Sequence, residues 1–179
     1  MFEEKRRKLG IRLTRFLSRT KETKPMSFSN SFSNAKTALV IIPENSEQRS
    51  VVAQMLILLQ NKFQGNKLTF VVNEGHRNFS STLNRSNVTT IKNEHLNFFF
   101  LPKKADISGL LNQKFDIVLD LNFSLVPSAA YLCRHINSPL IVGFSQEHAD
   151  EYYNFQFNAA PNRNAKNKYE QLFRTLSMF

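Results

Sequence analysis

Two carboxylates stand where chemistry could be done. Glu44, followed by Asn45 and Ser46, ends one apolar run, and Asp120, followed by Asn122 and Ser124, ends another. Ser145 and Gln146 close a third run. A carboxylate within hydrogen-bond reach of a hydroxyl can act as a general base. Glu44 and Asp120 are therefore the candidate catalytic pair, and Asn45, Ser46, Asn122, Ser124 and Ser145 the candidate ligand-binding residues. A second reading stands beside this one: Asp120 caps the turn that follows it, because Asp and Asn in connections commonly bond nearby backbone. The four histidines, His76, His95, His135 and His148, are scattered, without HxxxH or paired-cysteine spacing, so no metal is expected. Five glycines form neither GxGxxG nor GxxxxGK[ST], which removes the usual phosphate-cradling loops, and no cofactor is expected.

The elements that must position these groups are apolar strands separated by helical segments. Phe115–Leu121 and Pro139–Phe144 are runs of Ile, Val and Leu without polar alternation, flanking a helix-like segment from Val126 to His135. Such runs are strands covered on both faces, which means a parallel sheet with helices on each side. Thr37–Ile42 is a similar strand ended by Pro43, followed by a helix from Ser46 to about Phe63 with Val51, Met55, Leu58 and Leu59 on its buried face. Leu68–Val72, Val88–Ile91 and Leu96–Leu101 are further strand candidates. A short helix over Asp106–Gln113, an edge strand at Tyr153–Phe157 and an amphipathic helix over Lys166–Phe179 complete the pattern. The expected fold is an α/β, open, mostly parallel Rossmann-like sheet of five to seven strands with helices on both faces. In such sheets ligands bind at the carboxyl ends of the strands, which is where Glu44 and Asp120 fall.

At 179 residues and 41% hydrophobic content, the chain fits one domain with a real core and a terminal extension. Cys133 is the single cysteine, so an internal disulfide is excluded, and its apolar neighbours Ala129, Ala130, Tyr131 and Leu132 make it a small buried hydrophobe. No run approaches the roughly 20 apolar residues of a membrane span, and the N-terminus lacks the apolar core of a secretory signal. A cytoplasmic location follows as the expectation, with the inner-membrane periphery as a second possibility.

The net charge of +10 is uneven, because residues 1–24 hold nine basic side chains against three acidic ones. Leu9, Leu13, Phe16 and Leu17 share one helical face there, so this segment is a basic amphipathic helix, and residues 25–35 are a polar linker to a single domain at 36–179. Lys5, Arg6, Arg7, Lys8, Arg12, Arg15 and Arg19 are the candidate contacts for an anionic membrane surface. Packing of the apolar stripe on the domain is the competing reading. Nucleic-acid phosphate is a third, opposed by Glu3 and Glu4 and by the lack of aromatic stacking platforms among basic residues.

The stretch from the first strand through Phe-Asp-Ile-Val-Leu-Asp-Leu-Asn (115–122), the following helix, and Pro-Leu-Ile-Val-Gly-Phe (139–144) resembles the N-terminal, acceptor-side domain of family 9 glycosyltransferases, the heptosyltransferases. Lys168-Tyr169-Glu170-Gln171-Leu172 is similar to the segment leading into that family's second domain. The resemblance covers about Lys36–Phe179 and also fits small uncharacterised bacterial proteins that keep only this domain. It implies a Rossmann-like fold and a link to envelope-glycan synthesis, with an enzyme of that pathway as a partner. In the family, a Gly-Asp pair at the first strand-to-helix turn supplies the base on the sugar acceptor. This chain has Pro43-Glu44-Asn45-Ser46 there, so Glu44 stands in for the carboxylate without the glycine. The family's nucleotide-sugar domain has no counterpart before Phe179. The expected role is therefore a non-catalytic binding module, with a glycosyltransferase component that takes its donor site from another chain as the rival.

Overall fold

A computed structural model describes residues 2–17, 27–65, 67–74, 83, 87–160 and 163–178. Six strands form one sheet: β1 (Ala38–Ile41), β2 (Leu68–Asn73), β3 (Asn87–Ile91), β4 (Ile117–Asp120), β5 (Leu140–Phe144) and β6 (Phe155–Phe157). All neighbours pair in parallel, in the order β3-β2-β1-β4-β5-β6. This is the order of a doubly wound Rossmann-like sheet. β1 lies at the centre because Ala38, Leu39, Val40 and Ile41 are small or branched, wholly apolar and buried on both faces.

Alternate residues along each strand feed two separate cores. Ala38, Val40 and Leu119 join the core built with α3 (Ser46–Ala53), α4 (Leu56–Lys62) and α7 (Ala165–Leu176). Leu39, Ile41 and Val118 join the core on the opposite face, under α6 (Pro127–His135). Helix α3 is capped one residue earlier than Ser46: Asn45 Oδ1 accepts from the Gln48 amide at 3.1 Å. The helix expected over 46–63 breaks at Gln54 and Met55 into α3 and α4. The short α5 (Ser108–Leu111) precedes β4.

The segment expected as a polar linker contains α2 (Phe28–Asn34). Its helicity comes from tertiary contacts that outweigh weak propensity. Phe28 and Phe32 lie one turn apart, Phe32 is buried beside Phe63, and Phe28 stacks on Phe155 with ring centroids 3.9 Å apart. Ser31, Ser33 and Asn34 donate side-chain hydrogen bonds to carbonyls one turn back, so their polar groups are satisfied within the helix.

Leu96–Leu101 is a loop, with one antiparallel bridge from Leu96 to Pro102. Asn97 Oδ1 accepts from the amides of Phe99 and Leu101, and Phe100 sits at φ 61°; Phe98 and Phe100 meet arginines of α1 (Phe2–Leu17), while Phe99 packs against the core.

Helix α1 lies against α6 and this loop. Its close approach occurs at Gly10, where a Cβ would sit 2.1 Å from the Phe99 carbonyl oxygen and 3.2 Å from Pro127 Cβ. Thr14 is fully buried, sharing a hydrogen bond of 2.9 Å with the Tyr152 hydroxyl, which donates to the Ile11 carbonyl. Arg15 pairs with Glu151 at 2.7 Å. The packed side of α1 is therefore the Gly10–Thr14 side with Leu13 at its margin, and Leu9 and Phe16 of the expected stripe face outward.

Asp116 fastens the entrance of the sheet. Its Oδ2 accepts from the amides of Lys36 and Thr37 and from the Thr37 hydroxyl, at 2.8, 2.9 and 3.0 Å. Burial alone would raise its pKa, but these three donors outweigh that and hold it below the usual carboxylate range. A depressed folded-state pKa gives stability that is present above the unfolded pKa and is lost as pH falls through the folded one. Asp116→Asn is therefore expected to be less stable than the parent at pH 7, with the gap closing toward pH 3. Chemical denaturation at both pH values checks this, and a constant gap would contradict it.

Candidate functional site

The switch in connection direction falls between β1 and β4, so the crevice of this sheet opens where those two strands end. Ile42, Pro43 and Glu44 leave β1, and Leu121, Asn122 and Phe123 leave β4. The parallel register sets Ile41 beside Asp120. The two turns are then tied together: the Glu44 amide donates to Asn122 Oδ1 at 2.9 Å, and the amide and Nδ2 of Asn122 both donate to Asp120 Oδ1, at 3.0 and 2.7 Å. Tyr153, reaching in from beyond β5, donates its hydroxyl to Asp120 Oδ2 at 2.8 Å. Gly143 permits that reach, since a Cβ there would lie 2.4 Å from the Tyr153 ring.

Asp120 is 2% exposed. Burial pushes its pKa up, and the donors from Asn122 and Tyr153 recover only part of that shift. Burial and the neighbouring carboxyl push the Tyr153 phenol well above its ordinary value, so this hydroxyl stays a donor. Tyr169 on α7 donates to the Leu121 carbonyl at 2.6 Å and stacks on Phe123, which fixes the exit of β4 from the other face.

Glu44 is the half-exposed member of the pair, and it is already engaged. Arg7 of α1 meets it as a fork, Nη1 to Oε2 at 2.7 Å and Nη2 to Oε1 at 3.2 Å. The same guanidinium lies 4.5 Å from the Phe100 ring centroid and bonds Glu3 at 3.0 Å. Arg49 of α3 donates to the carbonyls of Pro43 and Glu44, holding the turn from beneath. Between these groups a small cleft, with room for about one water molecule, is lined by Ile41, Val71, Asn73, Glu44, Asn122 and Ser128 among others.

The structure thus brings Glu44, Asp120 and Asn122 together, as the strand-end argument expects. Asn45 is the cap of α3, Ser46 its first residue, and both are exposed; Ser124 and Ser145 are exposed as well, and none of the four lines the cleft. Gln146 serves the loop, its Oε1 accepting from the Leu125 amide at 2.8 Å. Sequence reasoning missed Arg7 as the partner of Glu44, and it missed Asn73, Ser128 and Tyr153. Ser128, directly after the helix-starting Pro127, carried the one readable signal.

The basic residues divide. Arg6 packs over the Phe98 and Phe100 rings at 4.1 and 4.7 Å and donates to the Phe98 carbonyl, Arg7 serves Glu44, and Arg15 serves Glu151. Lys8 pairs with Glu4 at 2.8 Å on the exposed side. Lys5 and Arg12 are exposed and make no ion pair among the described residues, while Arg19 lies outside them. No group of three or more His, Cys, Asp or Glu side chains is placed to hold a metal among the described residues. None of the described helices is long and apolar enough to cross a membrane.

An open parallel sheet in the 3-2-1-4-5-6 order, with its polar cluster at the β1–β4 switch point, defines a Rossmann-like domain. The chain belongs to a family of unknown function (DUF6913), whose model matches residues 8–179. No curated protein matches the sequence. Among solved structures, it is similar to the E. coli heptosyltransferase WaaC with ADP, at 22% identity and TM-score 0.60, over 78% of this chain and 46% of that one. The same enzyme with ADP-2-deoxy-2-fluoro heptose matches at 21% identity and TM-score 0.62, over 80% of this chain and 49% of that one. The chain therefore spans about half the length of the solved enzyme it matches. The expected likeness to family 9 glycosyltransferases is borne out in the fold.

Proposed function

We propose that this chain is a glycosyltransferase-like domain that binds without transferring, a module at the cytoplasmic face or membrane periphery that partners an envelope-glycan enzyme. The observation that carries the reading is the state of its two carboxylates. A general base must be open to the substrate hydroxyl and within hydrogen-bond reach of it. Both oxygens of Glu44 accept from Arg7, and both oxygens of buried Asp120 accept from Asn122 and Tyr153. Groups so engaged serve as structure and as recognition surface.

The rival is a glycosyltransferase component that uses Glu44 and Asp120 with a donor site from a second chain. It is favoured by the position of Glu44, half-exposed at the switch point. Release of nucleotide from ADP-sugars, measured with and without sugar acceptors, separates the two. The expected result is release at the buffer rate for the parent and for Glu44→Gln alike. Release by the parent that falls at least about tenfold in Glu44→Gln would establish the enzyme, since a positioned base contributes about 100-fold or more.

A further inference from the structure

Helix α1 has two faces, and the packing against α6 consumes only one. Phe2, Leu9 and Phe16 recur every seventh residue and form a ridge along the other face, about 21 Å long at the rise of a helix. They are 70, 45 and 85% exposed. Phe98 widens the ridge at one end: it is half-exposed, edge-on to Phe2 at 6.2 Å, with Arg6 stacked on it. Beside the ridge run Lys5, Lys8 and Arg12, all exposed. Glu4 pairs with Lys8, and Glu3 and Glu44 share Arg7, while Lys5 and Arg12 have no ion-pair partner among the described residues and stand next to exposed aromatic rings.

We infer that the outer face of α1 docks on an anionic lipid surface, with Phe2, Leu9, Phe16 and Phe98 entering the headgroup boundary and Lys5 and Arg12 facing the lipid phosphates. Charge complementarity selects this occupant over a neutral apolar partner. The row of exposed apolar side chains selects it over nucleic acid, whose phosphates give Leu9 and Phe16 nothing to bury against. The helix is held folded by Thr14–Tyr152, Arg15–Glu151 and Arg7–Glu44, so binding does not have to order it first. The inference deepens the membrane-peripheral part of the proposed function, but it uses neither Glu44 nor Asp120 as a ligand group.

Co-sedimentation of the full chain with vesicles of phosphatidylglycerol in phosphatidylcholine, and of phosphatidylcholine alone, tests it. The chain is expected to pellet with the anionic vesicles and to partition at least about tenfold less onto neutral ones. Each basic residue near the surface contributes roughly fivefold, so Lys5→Gln with Arg12→Gln should weaken partitioning about 30-fold. Leu9→Ser with Phe16→Ser should weaken it as well, while Leu58→Ser, an exposed apolar residue on α4, should not. Thermal midpoints confirm that these surface variants stay folded. Equal binding to neutral vesicles, no binding at all, or variants that bind like the parent would overturn the inference. So would tight, salt-sensitive binding to single-stranded RNA that survives Leu9→Ser with Phe16→Ser. Failure here together with silent nucleotide release would leave the non-catalytic reading standing.

Discussion

Asp120→Ala is expected to lower stability by about 3 kcal/mol, because three buried donors lose their acceptor at once. The amide and Nδ2 of Asn122 and the hydroxyl of Tyr153 all end on this carboxyl, in hydrogen bonds that are buried. For a domain of this size the loss is a fall in melting temperature of roughly 6–12 °C. Asp120→Asn keeps one carbonyl acceptor and the side-chain shape, so it should lose less than half as much. The two variants also read the protonation of the site. Burial raises the folded-state pKa of Asp120. Its contribution is then fully present below the unfolded pKa and declines as pH rises through the carboxylate range. Relative to the parent, Asp120→Asn should therefore fare better as pH increases, the opposite trend to Asp116→Asn. Melting curves of Asp120→Asn and Asp116→Asn across pH 3–7 decide the matter; parallel trends would show that Asp120 is not held as described.

Gly10→Ala is expected to lift α1 from the domain. The added Cβ would meet the Phe99 carbonyl oxygen at 2.1 Å, and a backbone atom cannot swing aside as a flexible side chain can. Lifting the helix far enough forfeits the Arg7 fork on Glu44, the Thr14–Tyr152 hydrogen bond and the Arg15–Glu151 pair together. Ile11 and Leu13 are marginal to the core beneath, so the sheet should survive while the helix frees itself. Trypsin should then cleave within residues 5–15 at least about tenfold faster than in the parent, with the rest of the chain still resistant. Gly109→Ala is the matched control, since a Cβ there meets nothing within 4 Å and alanine favours the helix. Equal cleavage rates in Gly10→Ala and the parent would sink the assigned packing.

The strands that carry the site were legible for a simple reason. β1, β4 and β5 are buried on both faces, so β1 and β5 are apolar throughout and β4 is apolar up to Asp120, and parallel strands must end on a common edge. The meeting of Glu44, Asp120 and Asn122 needed one thing more, that β1 and β4 be neighbours, and the register of the sheet supplies it. The rest depended on contacts that no local pattern encodes. The serines and asparagines of α2 mask a helix that exists because Phe28 and Phe32 find Phe155 and Phe63. Phe98–Phe100 have the composition of a strand, but the Asn97 side chain bends them into a loop. On α1 the large apolar residues were the wrong guide to the packed face, because close approach is made by small residues, Gly10 and Thr14. The pairing of Arg7 with Glu44 spans two elements distant in sequence, and its consequence for the site was invisible until both were placed.

The bonds that seat α1 set an order of events during synthesis. Helix α1 leaves the ribosome well ahead of two of its anchors, Glu151 and Tyr152, which lie some 135 residues later. At ordinary elongation rates that interval is roughly 7–27 s. Throughout it, the segment that will become α1 has its basic and aromatic residues in solution with no domain to rest on. The segment that carries Glu151 and Tyr152 thus determines when α1 finds its place.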